Sequence, residues 1–152
     1  MIDERLADFL HDGVGIHLGT RNQQLEPNGA RAISVRVDEE GHHLVVFMPK
    51  VAADRVLPDL KSNGQAAVVF ARPIDERACQ VKGTFVSARG ARPKERVAAQ
   101  KQWDRFLYNL EQIGIPRSAA DTWITTADVA ITLKVTGIFE QTPGPDAGKT
   151  IA

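Results

Sequence analysis

The segment "QAAVVFARPIDERACQVKGTFVSARG", residues 65–90, sets the architecture of this chain. Residues 65–73 are rich in small and β-branched side chains and read as a strand. Residues 78–90 alternate. Cys79, Val81, Phe85 and Ser87 fall opposite Gln80, Lys82, Thr84 and Val86, and only a strand has a period of two. Between the two lies Pro-Ile-Asp-Glu-Arg, whose proline and acids suit a hairpin loop.

Outward from this hairpin, the same alternation recurs. Downstream, Trp103, Phe106, Leu107, Leu110 and Ile113 repeat at three and four residues, which predicts a helix over 94–113. Lys94, Glu95, Gln102 and Arg105 occupy its polar face, and Gly114 and Pro116 end it. After a short helical piece near 117–122 comes "DVAITLKVTGIFEQ", with Val129, Ile131, Leu133 and Val135 on one face. Upstream, "VGIHLGTR" (14–21) alternates Val14, Ile16 and Leu18 with Gly15, His17 and Gly19. Its glycines weaken the strand but admit close approach of a ligand or another chain. In "ARAISVRVDEEG", Ile33, Val35 and Val37 share a face, and Glu39-Glu40-Gly41-His42 turns the chain into "HLVVFM". A helix over 51–62 buries Val56, Leu57 and Leu60, with Pro58 as an irregularity. A first helix spans 2–11, with Ile2, Leu6, Phe9 and Leu10 on one face.

The order helix, three strands, helix, two strands, helix, strand describes a mainly β protein with flanking helices. Hairpin-linked strands point to a closed or nearly closed antiparallel barrel, which leaves few exposed edges. A doubly wound sheet would need a crossover helix between most strands, and too few are available. At 152 residues the expectation is one domain, residues 1–152, with a Pro/Gly tail over 141–152.

Lys plus Arg and Asp plus Glu both number 19, so the formal net charge is zero, which argues against a nucleic-acid partner. Cys79 is the only cysteine, which excludes an intrachain disulfide and a cysteine zinc cluster. The longest apolar run, 44–48, is far too short to cross a bilayer. The expectation is therefore a cytoplasmic protein with no membrane partner.

No constellation of nucleophile and base emerges. Ser34, Ser62, Ser87 and Ser118 lack a nucleophile elbow, and Cys79 sits in a strand with no base beside it. His42 and His43 are adjacent in a turn and make poor joint metal ligands. His17 reads as a surface or interface histidine, and His11 joins no metal motif. Asp38, Glu39, Glu40, Asp75 and Glu76 fall in turns, as solvated acids do. Trp103 belongs to the core stripe of its helix, whereas Trp123 suits either a lid or the core. The terminal Gly148-Lys149-Thr150 does not form a phosphate loop. Only three residues separate Gly144 from Gly148, and two residues after Thr150 cannot build the helix such a loop requires. A basic and polar set stands out instead. Lys50 and Arg55 bracket the start of a helix that follows a strand, while Gln80 and Lys82 share a strand face. Such residues can hold an anion and a polar ring edge, or they can be ordinary solvated charges on a barrel rim.

Three strings carry a resemblance: "VGIHLGTRNQQLEPNGARAISV", "NGQAAVVFARP" leading to "CQVKG", and "QTPGPDAGK". Across about residues 10–149 the chain resembles the pyridoxamine 5'-phosphate oxidase-like FMN-binding split β-barrel family, as a divergent member. The resemblance implies a split antiparallel β-barrel, a homodimer, and FMN held between subunits. It places Arg55 where the family's phosphate-binding arginine sits, Gln80 at the flavin edge, and Lys82 and Lys50 nearby. Asp54 and Val56 depart from the Ser-Arg-Lys string of the family and weaken the phosphate's charge complement. Haem or a deazaflavin therefore stand beside FMN as cofactors, and a ligand-binding module without turnover stands beside an FMN-dependent oxidoreductase. No match to the substrate-binding C-terminal segment of the true oxidases is present, so vitamin B6 oxidation does not carry over. The substrate is an unidentified small molecule.

Overall fold

The computed structural model describes residues 1–151. Helix α1 (Glu4–His11) leads into β1 (Gly15–Arg21), β2 (Pro27–Ala32), β3 (Ser34–Val37) and β4 (His43–Met48). Helix α2 (Lys50–Asn63), β5 (Gln65–Ala71), β6 (Ala78–Gly90) and α3 (Pro93–Gln112) follow. A 3₁₀ turn (Arg117–Ala120) and β7 (Val129–Glu140) complete the order. The seven strands form one antiparallel sheet in the order β2-β1-β5-β6-β7-β4-β3.

The two edge strands of this sheet, β2 and β3, are consecutive in the chain and separated only by Ile33. Ala32 is the last residue of β2 to pair with β1, and Ser34 is the first of β3 to pair with β4. One bent strand thus borders both ends of the curled sheet and gives the barrel its split. Ile33 N donates to Phe47 O at 2.8 Å as the pairing passes from β1 to β4. The hand-over corrects the sequence reading here. Ile33 does not share a face with Val35 and Val37 but packs in the outer cluster under α3, while Val35 lies in the barrel interior. A second phase change lies in β7. Val135 pairs with Gly83 and Gly137 with Lys82, so Thr136 is skipped and Ile138 returns to the interior after Ile131 and Leu133. Such bulges bend strands and close barrels. At this point the backbones are so close that a Cβ on Gly83 would meet Lys134 O at 2.8 Å.

The interior is a single apolar cluster. A transverse row of Leu18, Val68, Val81 and Ile138 crosses it, each paired with the next across the ladder. Helix α2 closes one end by burying Ala53, Val56 and Leu60. It accommodates Pro58 on its exposed side, where the carbonyl left without a donor can reach water. Helix α1 is capped by the Asp3 carboxylate, which accepts from Leu6 N at 2.8 Å, and lays Leu6, Phe9 and Leu10 on the cluster. Outside the barrel, α3 covers β3, β4 and β7 with Trp103, Phe106 and Leu107 against Val45, Phe47 and Ala130.

Beyond β7 the chain turns back on itself. Gly148 N donates to Glu140 O, Ile151 N donates to Ile138 O, and Thr150 bridges Phe139. The Lys149 ammonium pairs with Asp146 inside this return, so the Gly-Lys-Thr string serves a hairpin and not a phosphate loop. Among the described residues, no helix is long and apolar enough to cross a membrane.

Candidate functional site

Two of the four predicted site residues come together on β6. Gln80 and Lys82 alternate with the buried Cys79 and Val81, so both project from the outer wall. Register places Gln80 in a transverse row with four other residues. Arg31 pairs with His17, His17 with Val69, Val69 with Gln80, and Gln80 with Phe139. All five share the outward face, because the row behind them fills the interior. The neighbouring outward row runs Gly29, Gly19, Ala67, Lys82, Gly137 and, Lys82 apart, carries almost no side-chain height. The result is a flat apron of sheet, lined along one side by a guanidinium, an imidazole, an amide and a ring.

The Phe139 ring lies over Gly137, where a Cβ would meet it at 3.1 Å. Lys82 Nζ stands 4.8 Å from the centre of that ring and has no carboxylate partner among the described residues. The Gln80 amide likewise has no side-chain or backbone partner there. An uncommitted amide, an ammonium and an aromatic face therefore adjoin one another. At the other end of the row, the Arg31 guanidinium stacks 4.2 Å above Trp123 and 6.0 Å from Phe106. Burial, reinforced by the positive charge of Arg31, lowers the pKa of His17 and favours the neutral imidazole. Trp123 thus packs against the α3 cluster and also floors an arginine.

Lys50 and Arg55 sit elsewhere, on α2. The Lys50 ammonium is held by both oxygens of Asp54, at 2.9 and 2.6 Å. The backbone N–H of Lys50, at the start of the helix, donates to the Asp128 carboxylate at 3.0 Å. That hydrogen bond, with a second from Thr126, holds the Asp128 carboxyl below its ordinary range. The start of α2, which the sequence offered as an anion cradle, therefore already holds a carboxylate of the protein itself. Arg55 is exposed and has no carboxylate partner among the described residues. Its carbonyl accepts from Asn28 Nδ2 at 2.6 Å, which fixes α2 against the edge strand β2. Asn28 pairs with Thr20, whose hydroxyl donates to Asp59 at 2.7 Å, so this fastening belongs to the inward side of the wall. Counting strands from β2 to β6, Arg55 and Gln80 are separated by about 14 Å of sheet and by the wall itself. One protomer does not bring them together.

As a site for FMN, the donor set fits in part. Gln80 and Lys82 offer an amide and a cation beside a ring-sized flat surface, and Arg55 offers a bidentate phosphate donor. The Lys50 ammonium is engaged by Asp54 and its backbone N–H by Asp128 in this arrangement. Sequence reasoning missed Arg31 and Phe139. Both were legible only through pairing register, since neither belongs to a motif. Among the described residues, no group of three or more His, Cys, Asp or Glu could hold a metal ion.

Neither a protein-family model nor a curated protein matches this sequence. Solved structures do match in fold. HupZ of Group A Streptococcus aligns with 97% of this chain and 100% of its own, at 18% identity and a TM-score of 0.57. An F420 reductase aligns with 86% of this chain and 93% of its own, at 17% identity and a TM-score of 0.54. An FMN-binding protein from Syntrophomonas wolfei subsp. wolfei aligns with 88% of this chain and 86% of its own, at 12% identity and a TM-score of 0.51. At these identities the likeness is one of fold. The split barrel that the sequence resemblance implied is the fold of this chain.

Proposed function

We propose that this chain is an FMN-binding flavoprotein, an oxidoreductase that works as a homodimer with a cofactor in the cleft between protomers. The observation that carries the reading is the pair Gln80 and Lys82, uncommitted and adjacent to Phe139 on a flat, glycine-rich outer wall. Gln80 would hydrogen-bond the polar edge of the flavin ring. Lys82 would balance negative charge on the cofactor, and Arg55 of the second protomer would grip the phosphate. Lys50 would join it only if Asp54 released it. Bound FMN supplies the hydride and electron chemistry, and the chain supplies orientation and electrostatics. The substrate is a small molecule that reaches the exposed side of the ring.

One observation favours a second reading. Asp54 and Asp128 crowd the start of α2 with negative charge, so the phosphate half of the site is weaker than the ring half. A planar ligand that needs less phosphate binding, such as haem or a deazaflavin, suits that imbalance, and the chain would then be a binding module without turnover of its own.

A complementation experiment separates these. Purified protein is titrated with FMN, passed through gel filtration, and its retained flavin absorbance counted per protomer. One FMN per protomer is expected, with Arg55→Ala and Lys82→Ala each losing most of it. Mixed dimers of the two variants should recover one intact site in two, because one cleft receives both native residues and the other neither. Retention of FMN at half occupancy in isolated mixed dimers, or about a quarter in a randomly paired one-to-one mixture, supports the intersubunit site. No FMN uptake by the native chain, combined with an intense Soret band on adding haem, turns the assignment to the second reading.

A further inference from the structure

Away from the Gln80 wall, α3 and β3 enclose a cavity of about 310 Å³, at the small end of ligand pockets. Its inner surface is apolar. Phe47, Ala98 and Ala99 supply the side chains, and Val35 contributes its backbone. The edge of β3 would otherwise expose backbone polar groups there, but Gln102 removes them. Its Oε1 accepts from Val35 N at 3.1 Å and its Nε2 donates to Val35 O at 2.8 Å. A helix side chain thus takes the place of a neighbouring strand and leaves a dry floor.

The mouth has the opposite character. Arg36 and Lys94 stand at it, and a second recess with Arg92 opens beside it, sharing Arg36 and Lys94. The single carboxylate in this wall, Glu95, is already satisfied. Arg89 holds it with two bonds at 2.8 and 2.6 Å, and Arg92 N donates to it at 2.8 Å. Arg36 reaches it only at 3.5 Å. Lys94 and the Arg92 guanidinium have no carboxylate partner among the described residues. On a chain whose charges balance overall, three cations face one carboxylate that is bound elsewhere. Local imbalance of this kind attracts an anion. His11, also in the wall, adds little to this positive charge, since burial lowers its pKa and favours the neutral ring.

We infer that the α3–β3 cavity binds an amphipathic organic anion, its apolar or aromatic body on Phe47 and Ala98 and its carboxylate between Arg36 and Lys94. The cavity belongs to one protomer and needs no second copy, so the inference stands apart from the FMN reading. Apolar burial supplies affinity and the cations supply the choice of charge.

The test uses the full chain without added cofactor. 1-Naphthylacetate is the probe, and the neutral 2-(1-naphthyl)ethanol is its control, with both followed by calorimetry. Saturable binding of one acid per protomer is expected, at least tenfold tighter than the alcohol. Ala98→Trp, at an exposed position on the cavity wall, should fill the space and weaken the acid at least tenfold. Lys94→Glu should do the same through charge, and this exposed surface change decides the matter should the tryptophan disturb folding. FMN uptake should be unchanged in both variants. Equal binding of acid and alcohol, unchanged acid binding in both variants, or no saturable binding overturns the inference, whatever the outcome of the FMN titration.

Discussion

Glu95→Gln is the substitution whose consequence the structure fixes most closely. Glu95 lies at the start of α3 with its side chain 12% exposed, and Arg89, at the end of β6, donates to both of its oxygens. Those bonds, opposed by burial and assisted by Arg92 N, bring its pKa from an ordinary 4.5 to about 2. By linkage, a difference of that size between unfolded and folded chain is worth about 3 kcal/mol at neutral pH. Arg89 is 33% exposed, and solvent screening reduces the expected figure to about 2 kcal/mol. Because the folded pKa is depressed, the stabilisation is fully present above pH 4.5 and is lost as pH falls towards 2. Glutamine keeps an oxygen for Arg92 N but offers Arg89 no second acceptor and no charge. Urea denaturation followed by tryptophan fluorescence should show the variant melting about 1 M urea earlier at pH 7, for a slope of about 2 kcal/mol/M. At pH 3 the gap should fall to less than half, because the native carboxylate is then giving up its advantage. Coincident midpoints at pH 7, or a gap of undiminished size at pH 3, would refute the reasoning.

Two further outcomes follow from the wall and the core. Asp54→Ser should cost less than about 0.5 kcal/mol, since the Lys50–Asp54 pair is 72% and 56% exposed. If Lys50 borders the phosphate, the same change should tighten FMN about two- to fivefold at low salt, and the gain should shrink at high salt as screening grows; an unchanged affinity removes Lys50 from the site. Burial pushes the Cys79 thiol up to about 12, so a thiol reagent at pH 8 should leave the native chain untouched and react fully only in denaturant. Rapid reaction of the folded protein would contradict the buried placement.

The strand content was legible because alternation is a local signal. The strand read over 65–73 is β5, Gln65–Ala71, that read over 78–90 is β6, Ala78–Gly90, and the helix expected over 94–113 is α3, Pro93–Gln112. What alternation cannot carry is a change of phase. Ile33 and Ile138 each sit one step from where a strict period of two would place them, because a hand-over between partners and a skipped Thr136 reset the pleat. Both resets depend on pairing between residues far apart in sequence. The site was legible to a lesser degree for the same reason. Gln80 and Lys82 were identified by residue type and a short string, whereas Arg31 and Phe139 acquire meaning only when register sets them in the same row. Lys50 illustrates the reverse. Its position before a helix is a sound anion signal, and the signal is cancelled by Asp128, 78 residues away.

The separation of Arg55 from Gln80 gives the proposed dimer a physical role. Within one chain, α2 is fastened to the inward side of β2 through Asn28 and Asp59, and Gln80 looks outward from β6. No side-chain rotation brings an arginine through a packed wall. A second copy lying on the apron could present its own Arg55 without moving either barrel, provided that the surfaces approach closely. The row of Gly29, Gly19, Ala67 and Gly137 is what close approach requires, because bulky residues there would hold the two barrels apart. Broadening one of these positions should therefore damage dimerisation and cofactor retention together while leaving the barrel folded. Gly19→Val is the suitable choice. A Cβ there meets only Ala67 O, at 3.6 Å, and a β-branched residue suits a strand. A Gly19→Val protein that remains dimeric and keeps its FMN would place the subunit contact on another face, and with it the cleft that Arg55 and Gln80 are proposed to share.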